Sequence, residues 1–178
     1  MAIEYEVKLL GVDVDKIRNM LSENGAVKGK SLNFRRVIFD TTPIDKNAWV
    51  RLRTDGDFTS LTYKRTVSRA IDGTEEIEVS VDSFDHTREL LEKSGLSSRN
   101  YQENRRELFY WNDCEISIDT WPMLEPYVEI ESTNTESVES CVARFSGLYQ
   151  ETTTDSTDKL YDLIGVDLKG IAQLRFSD

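Results

Sequence analysis

Charged and apolar residues alternate strictly in Glu4-Tyr5-Glu6-Val7-Lys8, and the same alternation recurs along the chain. Side chains on a strand point to opposite faces in turn, so Glu4, Glu6 and Lys8 share one face and Tyr5, Val7 and Leu9 the other. The pattern returns at Val50-Arg51-Leu52-Arg53, Leu61-Thr62-Tyr63-Lys64, Glu76-Ile77-Glu78-Val79, Ile116-Ser117-Ile118-Asp119 and Val128-Glu129-Ile130-Glu131. An antiparallel sheet with one wet face commonly reads this way. Here, however, one sign prevails within most faces: carboxylates come as E-x-E and arginines as R-x-R. Like charges two residues apart on a strand face repel, so the pairing points to ligands. Carboxylate oxygens bind hard divalent cations, and Arg and Lys clamp phosphate oxygens.

The intervening signals predict one α+β domain over residues 1–178, with strands and two helices in 1–132 and helices in 133–178. A helix is expected over 14–24, with Ile17, Met20 and Leu21 at helical spacing and Asn24-Gly25 as its stop. Strands follow over 31–40, 48–54 and 58–65, the last two joined through Asp55-Gly56-Asp57, and over 74–80. Asp82 or Ser83 caps a helix with Phe84, Leu90 and Leu91 as its apolar positions. Strands over 101–111, 114–120 and 126–132 complete the set. Helices over 135–145 and 156–164 and a short amphipathic tail close the chain, with 151–154 as a polar connection. About eight antiparallel strands can close into a barrel. Parity then puts aliphatics outward beneath the helices and charges into the lumen, which makes sense only around a charged ligand.

A net charge of −11 excludes general nucleic-acid binding, which needs a basic footprint. The N-terminus Met-Ala-Ile-Glu has neither a basic nor an apolar leader region, so no signal peptide is expected. No apolar run approaches a membrane span. Cys114 and Cys141 read as free thiols of a cytoplasmic protein. The single histidine, His86, sits in an exposed helical turn, which sets aside histidine triads and zinc sites. Trp121, Tyr127 and Tyr149 stand near strand ends as core, rim or stacking residues.

The lumen set carries five basic and seven acidic side chains, so a phosphate chain alone is repelled and divalent cations alone leave the basic groups unused. The ordered series E-x-E-x-K, R-x-R, a lone Lys, E-x-E, an Arg before a final Asp, and a closing E-x-E resembles the CYTH family, the triphosphate tunnel metalloenzymes. That resemblance implies an eight-stranded tunnel and two Mg2+ or Mn2+ ions. It implies phosphate binding by Lys8, Arg51, Arg53, Lys64 and Arg106, and metal binding by Glu4, Glu6, Asp119, Glu129 and Glu131. Glu76 and Glu78 line the tunnel, and Glu78 and Lys8 are the candidates for catalysis. The implied activity is hydrolysis of inorganic, thiamine or nucleoside triphosphate. The alternatives are an adenylyl cyclase that forms cyclic AMP and pyrophosphate, and a non-catalytic polyphosphate-binding module. The small-molecule triphosphate is the expected partner, without nucleic acid or membrane, and a homodimer stays open. One departure is visible: Asn104-Arg105-Arg106 stands where the family usually has K-x-R, which predicts a weakened grip on one end of the triphosphate.

Overall fold

The computed structural model describes residues 2–177, and in it the alternating segments become the staves of a closed barrel. In chain order they are β1 (Ala2–Leu10), α1 (Val14–Glu23), β2 (Val27–Asp40), β3 (Ala48–Thr54), β4 (Thr59–Thr66), β5 (Thr74–Ser80), α2 (Phe84–Lys93), β6 (Ser98–Trp111), β7 (Cys114–Thr120) and β8 (Tyr127–Ser132). These strands pair antiparallel in the order β6-β2-β3-β4-β5-β1-β8-β7, and a β6–β7 ladder closes the ring. The expected eight-stranded barrel is therefore the architecture.

Its stability comes from outside the ring. Val7, Leu9, Ile116, Ile118, Val128 and Ile130 face outward from β1, β7 and β8. They are covered by Ile17 and Leu21 of α1 and by Val138 of α3 (Thr135–Arg144). Each fully buried aliphatic of this kind contributes about 1.5–3 kcal/mol. Side-chain caps start these helices: Asp13 accepts from the Lys16 N–H at 3.2 Å, and Asn134 from the Ser137 N–H at 2.9 Å. On the far side α2, capped by Ser83, lays Phe84 over Val37, Phe39 and Leu52. Leu90, expected to join it, is 66% exposed. Residues 84 and 91 are two turns apart and share the buried stripe, whereas 90 lies about 100° off it.

Three stretches differ from expectation. Strand β2 begins at Val27, because an irregularity between Lys28 and Ser31 lets it continue along β6. The polar stretch expected as a connection forms β9 (Glu151–Thr153). Strand β5 pairs only with the start of β1, so the backbone of Lys8–Leu10 is open on that side, and β9 satisfies it. Beyond α4 (Thr157–Leu163), the tail carries a 3-10 turn, Leu168–Gly170, and β10 (Gln173–Leu174), which adds in parallel to β6. The C-terminal part is thus not purely helical. Among the described residues, no helix is long and apolar enough to cross a membrane. Cys114 and Cys141 are buried free thiols, and His86 is exposed.

Candidate active site

Register decides which lumen charges meet. Between β1 and β8, Glu6 lies opposite Glu131 and Lys8 opposite Glu129. Between β2 and β3, Arg36 lies opposite Arg53 and Ile38 opposite Arg51. Like charges directly opposed across a ladder are destabilising. The two like-charged pairs sit half a ring apart, with β4 and β5 between them on one side and β6 and β7 on the other. An acidic wall therefore faces a basic wall.

On the acidic wall, the Lys8 ammonium is 3% exposed and lies 2.7 Å from Glu6 Oε1 and 3.2 Å from Glu129 Oε2. Burial opposes its charge, but those carboxylates outweigh burial and hold its pKa above the usual lysine range. Lys64 hydrogen-bonds Glu4 and lies 2.9 Å from Glu76 Oε2, close enough for an ion pair but off the line of a hydrogen bond. Burial, and then the neighbouring Glu76, push the Glu4 carboxyl up to about 7, while Lys64 pulls the other way. Glu131 is likewise pushed up to about 7, by burial and by Glu129, Glu4 and Glu6. Glu4 Oε2 is buried with no hydrogen-bond partner.

Arg106 joins the walls. Its Nε and Nη2 donate to the two oxygens of Asp119 at 2.9 and 2.6 Å, and Nη2 also donates to Glu129 Oε1 at 2.8 Å. Asp119 is fully buried and accepts further bonds from Ser117 Oγ at 3.0 Å and Asn104 Nδ2 at 3.1 Å. Its oxygens are thus fully engaged behind Arg106. On the basic wall, Arg51 Nη2 stands 3.6 Å from Glu78 Oε2, which accepts from Thr62 Oγ1 at 2.7 Å. Burial raises the Glu78 pKa, but Thr62 and then Arg53 and Arg51 bring it below the ordinary value. Arg53 lies 4.5 Å from the Phe34 ring centre, and burial, with Arg51 and Arg106, lowers its pKa to about 9.

The lumen cavity, about 120 Å³, is lined by Glu4, Glu6, Lys8, Arg51, Lys64, Arg106 and Glu129, all expected from sequence. Arg53 opens instead on a second cavity with Ser60 and Glu115, and Arg106 lines both. Glu76 and Glu78 reach the lumen charges through Lys64 and Arg51. Trp121 and Tyr127 line the lumen cavity, whereas Tyr149 packs against the outer core. Arg105 points outward, 4.2 Å from the Phe176 ring centre.

Sequence reasoning missed Arg36, Trp49, Gln102 and Glu115. The lumen signal of Arg36 was masked by Arg35 beside it: in Phe34-Arg35-Arg36-Val37-Ile38 charge occupies both parities. The departure at Asn104 has a neighbour that the sequence did not show. Asn104 is 1% exposed, and its Oδ1 accepts a hydrogen bond from Arg36 Nη2 while its Nδ2 donates to Asp119. A cation from the neighbouring strand, Arg36, stands against it. Among the described residues no three acids are already gathered as a cation cage; Lys8, Lys64 and Arg106 hold them instead.

The CYTH domain family matches residues 2–161. No curated protein matches the sequence. Among solved structures, the chain is similar to the PH1012 protein of Pyrococcus horikoshii, at 20% identity and a TM-score of 0.77, over 89% of this chain and 99% of that one. It is similar to an adenylate cyclase candidate of Vibrio parahaemolyticus, at 14% identity and a TM-score of 0.73, over 90% and 98%. It is also similar to HpAC1 of Hippeastrum, a candidate adenylyl cyclase with a dominant triphosphatase activity, at 18% identity and a TM-score of 0.66, over 94% and 99%.

Proposed function

The chain belongs to the CYTH domain family, and from that membership together with the divided lumen we propose that it hydrolyses a triphosphate inside the barrel with divalent metal. The observation that carries this reading is the pair of like-charged ladders, Arg36 opposite Arg53 facing Glu6 opposite Glu131. One needs an anion and the other a cation, and a metal–polyphosphate complex is both. A likeness to HpAC1, whose triphosphatase activity is dominant, favours the same choice.

Each wall has its part. Arg51, Arg53 and Arg106 hold the phosphate oxygens, and Lys8 and Lys64 take those nearest the acidic wall. The acidic wall suits a hard cation: its donors are all oxygen, Glu4 Oε2 has no partner, and Glu6 and Glu131 are opposed. Glu4, Glu6, Glu129 and Glu131 would hold Mg2+ or Mn2+, with Asp119 behind them fixing Arg106. When bound, the metal neutralises phosphate charge and lowers the pKa of a water. Within the chain, the arginines stabilise charge on the transferred phosphoryl group without reorganising, since register and burial already fix them. Glu78 is ionised at neutral pH and accepts a hydrogen bond from Thr62. It takes the proton of the attacking water as the new P–O bond forms and the P–O–P bridge breaks. Lys8 remains charged throughout and stabilises the leaving oxygen.

The cyclase reading draws on one observation: Trp49, half-buried, lines the lumen cavity beside Ile38 and can stack on a base. A substrate panel decides between them. Inorganic triphosphate, thiamine triphosphate, ATP and GTP are incubated with Mg2+ or Mn2+, and the products resolved. Orthophosphate release that stops in excess chelator is the expected result. Cyclic AMP with pyrophosphate selects the cyclase. Stoichiometric binding of triphosphate without any product overturns both in favour of a binding module.

A further inference from the structure

Arg36 is a buried charge without an opposite charge. The residue is 7% exposed, yet among the described residues no carboxylate lies within ion-pair distance of it, unlike Lys8, Lys64, Arg51 and Arg106. Among the described residues its one side-chain hydrogen bond goes to a neutral acceptor, Asn104 Oδ1, and its buried Nε has no partner. Its guanidinium lies 4.5 Å from the Trp121 ring centre, and its ladder neighbour is another arginine, Arg53. Leaving a buried charge uncompensated costs several kcal/mol, so a fold keeps one only where something else supplies the counter-charge. Arg36 and Arg106 line the same cavity. The Arg36 guanidinium, set against an indole in a residue that lines that cavity, has the planar fork that recognises phosphate oxygens.

We propose that Arg36 is a phosphate-binding residue of the tunnel, stationed by Trp121 and Asn104, and that it supplies from β2 the positive charge that position 104 of β6 lacks. The inference rests on the triphosphate reading and goes beyond it in assigning the charge. Asn104 is then a positioning residue. One side of its amide aims Arg36 and the other holds Asp119, which in turn holds Arg106, so both arginines keep their spacing. A lysine at 104 would break this relay and set an ammonium against the guanidinium.

The test compares wild type with Arg36→Gln, Arg36→Lys, Asn104→Lys and the double variant Arg36→Gln/Asn104→Lys. Inorganic triphosphate with Mn2+ is the probe, and KM, kcat and melting temperature are measured. Arg36→Gln is expected to raise KM by about tenfold to a hundredfold, the range of one charge-assisted hydrogen bond. It should not lower the melting temperature, because an uncompensated charge has gone. Arg36→Lys keeps the charge without the fork and should fall between. Asn104→Lys should impair turnover alone, and the double variant should recover much of the KM lost by Arg36→Gln. A structural role predicts the reverse, a lower melting temperature for Arg36→Gln with KM unchanged, and that result overturns the proposal. If Arg36→Gln does not fold, Arg36→Lys with wild-type KM overturns it equally. Wild-type protein that turns over no triphosphate sinks the functional reading itself, a different failure from an active wild type indifferent to position 36.

Discussion

At the scale of single residues, identical side-chain chemistry has separate jobs depending on which wall it stands on. Glu6 faces Glu131 and on the proposed reading is half of a cation site, whereas Asp119 is saturated by Arg106, Asn104 and Ser117. Glu6→Gln should therefore weaken Mn2+ binding and be partly rescued by high Mn2+. Arg53→Ala should weaken triphosphate binding about tenfold or more with Mn2+ affinity little changed. Calorimetric titration of each variant with each ligand checks this, and equal losses of both affinities in both variants would show that the walls have no division of labour. Asp119→Asn should behave unlike either. It leaves Arg106 short of a buried carboxylate, so its first effect is a lower melting temperature, by several degrees, read by thermal denaturation.

At the scale of elements, the barrel needs its helices docked on the outside because its inside contributes charge and not apolar burial. Helix α1 is pinned to β6 by Arg18, whose Nη1 bonds Asp15 at 2.8 Å and whose Nη2 pairs with Glu107 on the outer face. The Arg18 hydrogen bond lowers the Glu107 pKa, only partly offset by burial. A carboxyl whose folded pKa is depressed contributes stability above its unfolded pKa of about 4.3, and that contribution is lost as pH falls through the lower folded value. Glu107→Gln should accordingly melt below wild type at neutral pH, and the gap should close under strongly acidic conditions. Thermal melts across pH measure it, and a gap that persists in acid would assign the effect to packing instead. Ladder position also explains β9. It forms because β1 outruns β5, a matter of unequal strand lengths around a ring and not of propensity in Glu151–Thr153.

At the scale of the whole molecule, the proposed function has the barrel hold its charges apart until a ligand reunites them. In the structure Lys8, Lys64 and Arg106 neutralise the acidic wall. On the proposed reading a phosphate chain draws Lys8 and Lys64 away from the carboxylates, which are then free for metal, while Arg106 stays fixed by Asp119. Metal and triphosphate should therefore stabilise the protein together by more than the sum of each alone, because binding of either lowers the electrostatic cost of the other. Melting temperatures with Mn2+, with triphosphate and with both test this, using a slowly hydrolysed triphosphate analogue to keep the ligand intact. Simple additivity would mean that the two sites do not share the lumen cations.

Strand parity is a local property, fixed by backbone geometry, and alternation such as Glu4-Tyr5-Glu6-Val7-Lys8 therefore revealed unaided which side of most staves is charged, though not of β2. With the order of the charged pairs, that was enough for the eight-stranded barrel, its inward charges and most of the charged residues around the cavity. Register and ring order are not local. That Glu6 meets Glu131, that Arg36 meets Arg53, and that these pairs face each other follow only from which strands become neighbours on closure. Asn104 shows the difference most plainly. Along β6 it reads as a missing cation, but the charge comes from β2, sixty-eight residues earlier in the chain, and only the folded barrel brings Arg36 to it.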